Sequence, residues 1–251
     1  PENSNVPLFE GFDGRNEHAW RAAIDKILKG GDFTKRLVSK TADGIALQPL
    51  YMQAADKAPS MAAHAGKPWQ ISQRVDHPDP EVANKLALQD LENGANNLVV
   101  VLNSSPTARG FGLRASDTAT LETALADVAL EMITLRLEAG DSANECAENL
   151  AILVANRGLD PASVDVDFGL APLSQLMSTG NSSRDWPATA ATLAATGKRL
   201  SGSRFKGPFI TADARPVSEA GGSEAQELAV AIAAAVEYLR ALETNGVSLT
   251  E

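Results

Sequence analysis

The run NLVVVL, Asn97 to Leu102, decides the fold class. A short, continuous apolar stretch of this kind predicts a strand buried on both faces, as in a parallel sheet covered by helices. Downstream segments repeat the theme. A helix opens at Ser116 or Asp117 as its cap and runs through Leu121, Leu125 and Val128. MITLRL at 132–137 is the next strand, although periodicity also allows the preceding helix to run through it. A helix over 142–157 stops at Gly158, VDVDF at 164–168 is strand, 185–200 is helix, PFITA at 208–212 is strand, and a long helix spans 223–244. Strand-then-helix units therefore start near residues 97, 132, 164 and 208, the spacing of parallel βα units in a doubly wound sheet or a barrel.

Upstream, a helix over 80–92 with Pro80 in its first turn leads into the run, and WQISQRV at 69–75 reads as extended. Before it the pattern changes. Trp20, Ala23, Ile24, Ile27 and Leu28 recur at helical spacing over 17–29, and Gly30-Gly31 stops that helix. Two β-prone runs, 35–39 and 45–50, flank Thr41-Ala42-Asp43-Gly44, and the Asp-Gly pair signals a hairpin. Residues 53–67 have no period and read as a linker. The expected organisation is an N-terminal arm over 1–68 and a parallel α/β unit over 69–251. A whole barrel takes about 250 residues. Here about 95 of 251 precede the first strand, which leaves about four βα units, half a barrel. Its two open edges would need cover from the arm or from self-association that pairs two half-barrels.

Hydrophobic residues at 44% and charged residues at 22% describe a chain that folds. The net charge of -10 excludes nucleic acid and anionic membrane as expected partners. One cysteine, Cys146, cannot form an internal disulfide, no run reaches the length of a membrane span, and the N-terminus lacks a signal-peptide pattern. A soluble, cytoplasmic protein is expected.

Generic catalytic motifs are thin. GFGLRA at 110–115 fits the dinucleotide fingerprint in letters, but NSSPTAR separates it from its strand, so it reads as a loop. His18, His64 and His77 have no metal-ligand spacing, and neither a nucleophile elbow nor a phosphate loop is present. Cys146 sits beside Glu145 and Glu148, which raise a thiol pKa, so it reads as structural. Lys198, Arg199, Arg204 and Lys206 read as a solvated turn. The strand ends, where chemistry sits in such folds, carry Asn103-Ser104-Ser105, Glu138, Gly169-Leu170 and Asp213, without a paired base and nucleophile.

Four stretches are more specific: TADGIALQPLY at 41–51, GKPWQISQRV at 66–75, DPASVDVDFGLAPL at 160–173 and EAGGSEAQELAVAIAAAVEYLRAL at 219–242. Together they resemble the acyl-CoA-binding barrel of the adenosylcobalamin-dependent methylmalonyl-CoA mutases, nearest to the small, non-catalytic subunit of heterodimeric members. The resemblance implies a (βα)8 barrel threaded by the pantetheine of an acyl-CoA. It also implies a separate domain that presents cobalamin to the barrel mouth, and a radical 1,2-rearrangement that interconverts methylmalonyl-CoA and succinyl-CoA.

Carried over position by position, the catalytic pattern is broken. G-R-P-W-T-I-R-Q-Y appears as GKPWQISQR, so Ser72 replaces an arginine that meets CoA and Arg74 an active-site tyrosine. T-H-R-G-Y appears at 107–111 with Ala108 for the histidine, and G-Y-H-M-Q-E-A-G appears at 214–221 with Pro216 for another. The cobalt-ligating D-x-H-x-x-G pattern is matched by none of the three histidines, so adenosylcobalamin belongs to the family complex and is not expected on these residues. Lys67, Trp69, Gln70 and Arg109 remain as candidate substrate-binding positions, although Lys67, Pro68, Trp69 and Arg109 read first as scaffold. The expected role is a chain without catalysis of its own that stabilises a catalytic large subunit in a heterodimer. The alternatives are an acyl-CoA binder or mutase of altered specificity, using Arg74 and Arg215 on a different acyl group, and a fragment of a longer subunit.

Overall fold

The structure, a computed structural model, describes residues 16–52, 68–180 and 185–248. The chain divides into two units, Pro1–Ala65 and Gly66–Glu251. In the first, α1 (Glu17–Leu28) is capped by Asn16 and ends on a left-handed Lys29. A short α2 (Phe33–Leu37) follows, capped by Asp32. Arg21 lies over the Phe33 ring at 4.2 Å. The predicted hairpin forms as β1 (Ser39–Lys40) paired antiparallel with β2 (Ala46–Leu47). Residues 35–37, expected as strand, are helical instead, because the Asp32 carboxylate accepts the Lys35 amide and nucleates a turn there. The linker expected at 53–67 lies outside the described residues.

The second unit is built on a four-stranded parallel sheet in the order β3 (Ser72–Val75), β4 (Asn97–Val101), β5 (Thr134–Glu138) and β6 (Asp165–Asp167). The count of four parallel strands agrees with the sequence, but their identity differs at both ends. Ser72–Val75 is the first sheet strand, so the repeat begins about 25 residues before Asn97. PFITA does not extend the ladder. It is joined to the β6 side by one bridge, Leu170 to Ile210, with Phe168 N donating to Pro208 O at 2.9 Å.

Helices follow each strand. These are α3 (Pro80–Glu92), α4 (Thr118–Ala124), α5 (Ala143–Asn156), α6 (Pro172–Thr179), α7 (Trp186–Gly202), α8 (Arg215–Glu219) and α9 (Glu224–Thr244). Their starts obey local chemistry: Asp79, Asp117 and Asp185 each accept first-turn amides, and Ser223 with Gln226 forms a capping box. Asp117, not Ser116, is the cap of α4. That helix stops at Ala124, short of Val128, since Asp127 adopts a positive φ of 60°. The Arg157 guanidinium then donates to the freed carbonyls of Leu125 and Val128. Residues 130–132 form a 3-10 turn rather than the start of a strand, and α6 and α8 are short helices that the apolar pattern did not announce.

Alternation along the strands divides the sheet into two faces. Leu98, Val100, Leu135, Leu137 and Val166 are fully or almost fully buried, in one core with Leu121, Leu150 and Leu153 from the covering helices. Val101 is buried too, so NLVVVL is close to the doubly buried strand its composition predicts, with Val99 alone half-buried. Cys146 is fully buried within α5, where desolvation, helped by Glu145, pushes its thiol up to about 12. Among the described residues no helix is long and apolar enough to cross a membrane.

Candidate functional site

The other face of the sheet is polar. Parallel register puts Ser72, Asn97, Thr134 and Asp165 in one row across the four strands, and Arg74, Val99, Arg136 and Asp167 in the next. These rows line an open trough of about 1000 Å³, whose other wall comes from Pro208, residues 211–215 and the first turns of α9. Among the described residues the trough is lined by six carboxylates (Glu138, Asp165, Asp167, Asp213, Glu224 and Glu227) and by three guanidiniums (Arg74, Arg136 and Arg215).

The guanidiniums are tied down at one end, where the strands reach their C-termini. Glu138, at the last position of β5 and 8% exposed in its side chain, accepts from Thr107 Oγ1 at 2.6 Å and Arg215 Nη1 at 2.9 Å, and faces Arg74 Nη1 at 3.4 Å. Arg215 also grips Asp213 through Nε at 2.9 Å and Nη2 at 2.7 Å. Arg74 reaches Asp76 at 3.2 Å and the Thr107 carbonyl at 3.1 Å, and Arg136 lies 3.6 Å from Asp167. The adjoining cavity that contains Thr107, Glu138, Asp213, Arg215 and Pro216 measures only about 50 Å³.

Electrostatics fix the protonation of this cluster. Burial opposes ionisation of Glu138, but the Thr107 hydroxyl and the Arg215 and Arg136 charges outweigh it and hold the carboxyl below its ordinary value. Asp213 is likewise depressed, since Arg215 overcomes desolvation, and Arg215 is itself raised by Asp213 and Glu138. Both carboxylates are charged acceptors at neutral pH, and neither is tuned toward the range of a general acid or base. Beside them the buried Tyr238 hydroxyl accepts from the Leu173 amide at 3.0 Å, and desolvation pushes it up to about 12.

A family profile described as Methylmalonyl-CoA mutase matches residues 51–251. The chain belongs to the methylmalonyl-CoA mutase family. Among similar proteins is the methylmalonyl-CoA mutase small subunit of Streptomyces virginiae, 31% identical over 98% of this chain and 41% of that protein. The small subunit of Propionibacterium freudenreichii subsp. shermanii is 26% identical over 99% and 40%, and the probable small subunit of Mycobacterium bovis 28% identical over 92% and 39%. The chain thus spans about two fifths of the length of these curated relatives.

In this mutase-family chain Gln70, Ser72 and Arg74 line the trough together, and Arg74, Ala108 and Arg109 share a second pocket. Ser72 is exposed on the trough floor, Arg74 belongs to the Glu138 cluster, Ala108 is buried at 3% exposure in a 3-10 turn, and Pro216 is in the first turn of α8. Gln70 bonds to Thr134 and Asn97 within the sheet. Arg109 is paired with Glu219 at 3.0 Å. Trp69 is 85% exposed on the extended segment before β3. Lys67 lies outside the described residues. Of the basic turn, Arg199 is paired with Glu148, Arg204 with Asp160, and Lys198 donates to the Asn245 carbonyl. Arg136 and Asp167 were missed, although the alternation of TLRLE and DVD marks them as sharing a face. Glu138 and Asp213 were noted as strand ends, but Arg215 is what joins them.

Proposed function

We propose that the second unit is part of a (βα)8 barrel of small-subunit type, that it carries out no rearrangement by itself, and that it stabilises a catalytic large subunit in a heterodimer. One observation carries this reading: the arginine at position 74 and Arg215 are both consumed by Glu138 at the barrel mouth. Among the described residues that leaves no unpaired base, acid or cation lining the adjoining cavity of about 50 Å³. The acidic trough supports it further, because acyl-CoA is a polyanion and would meet more carboxylates than guanidiniums. Leu228, Ile232, Val236 and Leu239 form an apolar stripe on α9, each at least 40% exposed, which suits a protein that completes its core against other polypeptide.

Adenosylcobalamin, which the family resemblance implies for the assembled mutase, does not fit the described residues. His77 Nδ1 is turned to its neighbour's backbone, accepting the Asp79 amide at 3.1 Å, and His18 is exposed on α1. No step through the cofactor is assigned to this chain.

The test is turnover of methylmalonyl-CoA with adenosylcobalamin, measured with the purified chain alone and after adding a catalytic large subunit. Activity is expected only in the second case, and turnover by the chain alone would overturn the reading. Altered acyl specificity would require Arg74 and Arg215 to leave Glu138, so isothermal titration with a panel of CoA esters should be silent. Micromolar binding would instead support that alternative.

A further inference from the structure

Beyond the C-terminal ends of β3 and β4, the end of a parallel sheet where ligands bind, two loops enclose a cleft separate from the trough. Residues 77–80 lead from β3 into α3, and residues 110–115 lie between β4 and α4. The second loop is anchored through its backbone: Gly112 N donates to the Asp76 carbonyl at 2.6 Å, and the fully buried Leu113 bridges to Leu102. Phe111 and Arg114 flank that anchor. With His77, Pro78, Pro80 and Ala115 they line an open cleft of about 580 Å³, inside the roughly 300–1,000 Å³ of small-molecule sites.

Two donors in this cleft have no acceptor. The Asp79 amide donates to His77 Nδ1 at 3.1 Å. A backbone N–H can only donate, so Nδ1 accepts and the neutral ring carries its proton on Nε2. Among the described residues nothing accepts from Nε2. Arg114 is exposed and, among the described residues, has neither a hydrogen bond nor an ion pair. Arg74, Arg109, Arg136 and Arg215, which line the neighbouring cavities, are all held by carboxylates. Asp79 also lines the cleft, but its Oδ1 is spent on the Glu81 and Val82 amides of α3, and Thr120 Oγ1 donates to Asp117.

A guanidinium beside an imidazole N–H suits an anionic acceptor. A phosphate dianion would bring two charges against one guanidinium and would meet Asp79 as well. A carboxylate matches the guanidinium in charge and in planar, two-oxygen geometry. The remaining wall is flat and apolar, made by two proline rings and by Phe111, which is 60% exposed. An aromatic body would cover that ring in an offset or edge-on contact. We propose that this cleft binds a small aryl carboxylate, with its carboxylate held by Arg114 and His77 Nε2 and its ring laid against Phe111, Pro78 and Pro80. The cleft shares no residue with the trough or with the cavity at Glu138, so the proposal stands apart from any result on catalysis or on a large subunit.

Phenylacetate is the probe, titrated into the full chain at low ionic strength and followed by calorimetry. One saturable site is expected. Phenylacetamide keeps the ring without the charge and acetate keeps the charge without the ring, and each should bind more weakly. Phenylacetate affinity should fall about tenfold or more in Arg114→Gln. It should fall less in Arg114→Lys, which keeps the charge and loses the fork, and severalfold in His77→Phe and Phe111→Ala. Arg114 and Phe111 are surface side chains, so their variants should melt as wild type does and keep the test available if His77→Phe fails to fold. Absence of saturable binding, equal affinity for phenylacetamide, or wild-type affinity in Arg114→Gln would overturn the proposal.

Discussion

Replacing Glu138 by glutamine keeps the shape of the side chain and removes its charge from the centre of the arginine cluster. The wild-type carboxylate receives two short charge-assisted or hydroxyl contacts, from Thr107 at 2.6 Å and Arg215 at 2.9 Å, and a longer one from Arg74 at 3.4 Å. Hydrogen bonds to a charged group are worth about 1.5–3 kcal/mol each, and removing one member of a fully buried pair costs about 3–5 kcal/mol. Two facts reduce that figure here. Arg74 and Arg215 are 42% and 43% exposed, and Arg215 keeps its two-pronged hold on Asp213, so no cation is stranded. The amide oxygen can still accept from Thr107, while its NH2 group faces donors. About 2–3 kcal/mol remains. For a chain of this size that lowers Tm by about 4–12 °C.

The pH dependence adds a sign to the test. Glu138 is depressed in the folded state, so its contribution is complete above the ordinary glutamate value of about 4.3 and is lost as pH falls through the folded value. Thermal melts followed by circular dichroism should therefore show a constant gap between wild type and Glu138→Gln from about pH 8 to about pH 5, closing in stronger acid. A gap under about 1 °C at neutral pH, or one that persists unchanged in acid, would refute the electrostatic account of the cluster.

Two further predictions concern residues the sequence presents as motif-like. Gly110 and Gly112 both have φ near +90°, but a Cβ on Gly110 meets open space, whereas one on Gly112 would lie 2.6 Å from backbone atoms of Leu102 and Asn103. Gly110→Ala should cost about 1–2 kcal/mol, and Gly112→Ala about 1–3 kcal/mol more from backbone overlap. Urea titration orders the two, and equal losses would sink the close-approach reading. Cys146, fully buried with its thiol pushed up to about 12, should resist iodoacetamide at about pH 8 in the native chain and alkylate readily in guanidinium. Mass spectrometry that finds rapid native labelling would contradict that burial.

How much of this was legible depends on the range of each cause. The long helices were readable because their signals are short-range: Asp79 before Pro80, Asp185 before Trp186, Ser223 three residues before Gln226, and apolar residues at helical spacing within each. The NLVVVL strand was readable because one stretch is buried on both sides. Ser72–Val75 was harder, since only Val75 is buried, and an edge strand that exposes Ser72, Gln73 and Arg74 looks like any extended polar segment. PFITA fails in the opposite sense: it has strand composition and exchanges backbone hydrogen bonds with Phe168 and Leu170, but these make a single bridge beyond the end of β6 rather than a ladder.

The sequence by itself determined the α/β class and most helix boundaries, because each follows from neighbours in the chain. Only the tertiary structure decided which polar side chains meet. Arg74 and Arg215 converge on Glu138 from 64 and 77 residues away, and Gln70 meets Thr134 and Asn97 across 64 and 27 residues. Such pairings are set by parallel register and by which face each strand turns to the trough, and a shift of one residue would reverse every one of them.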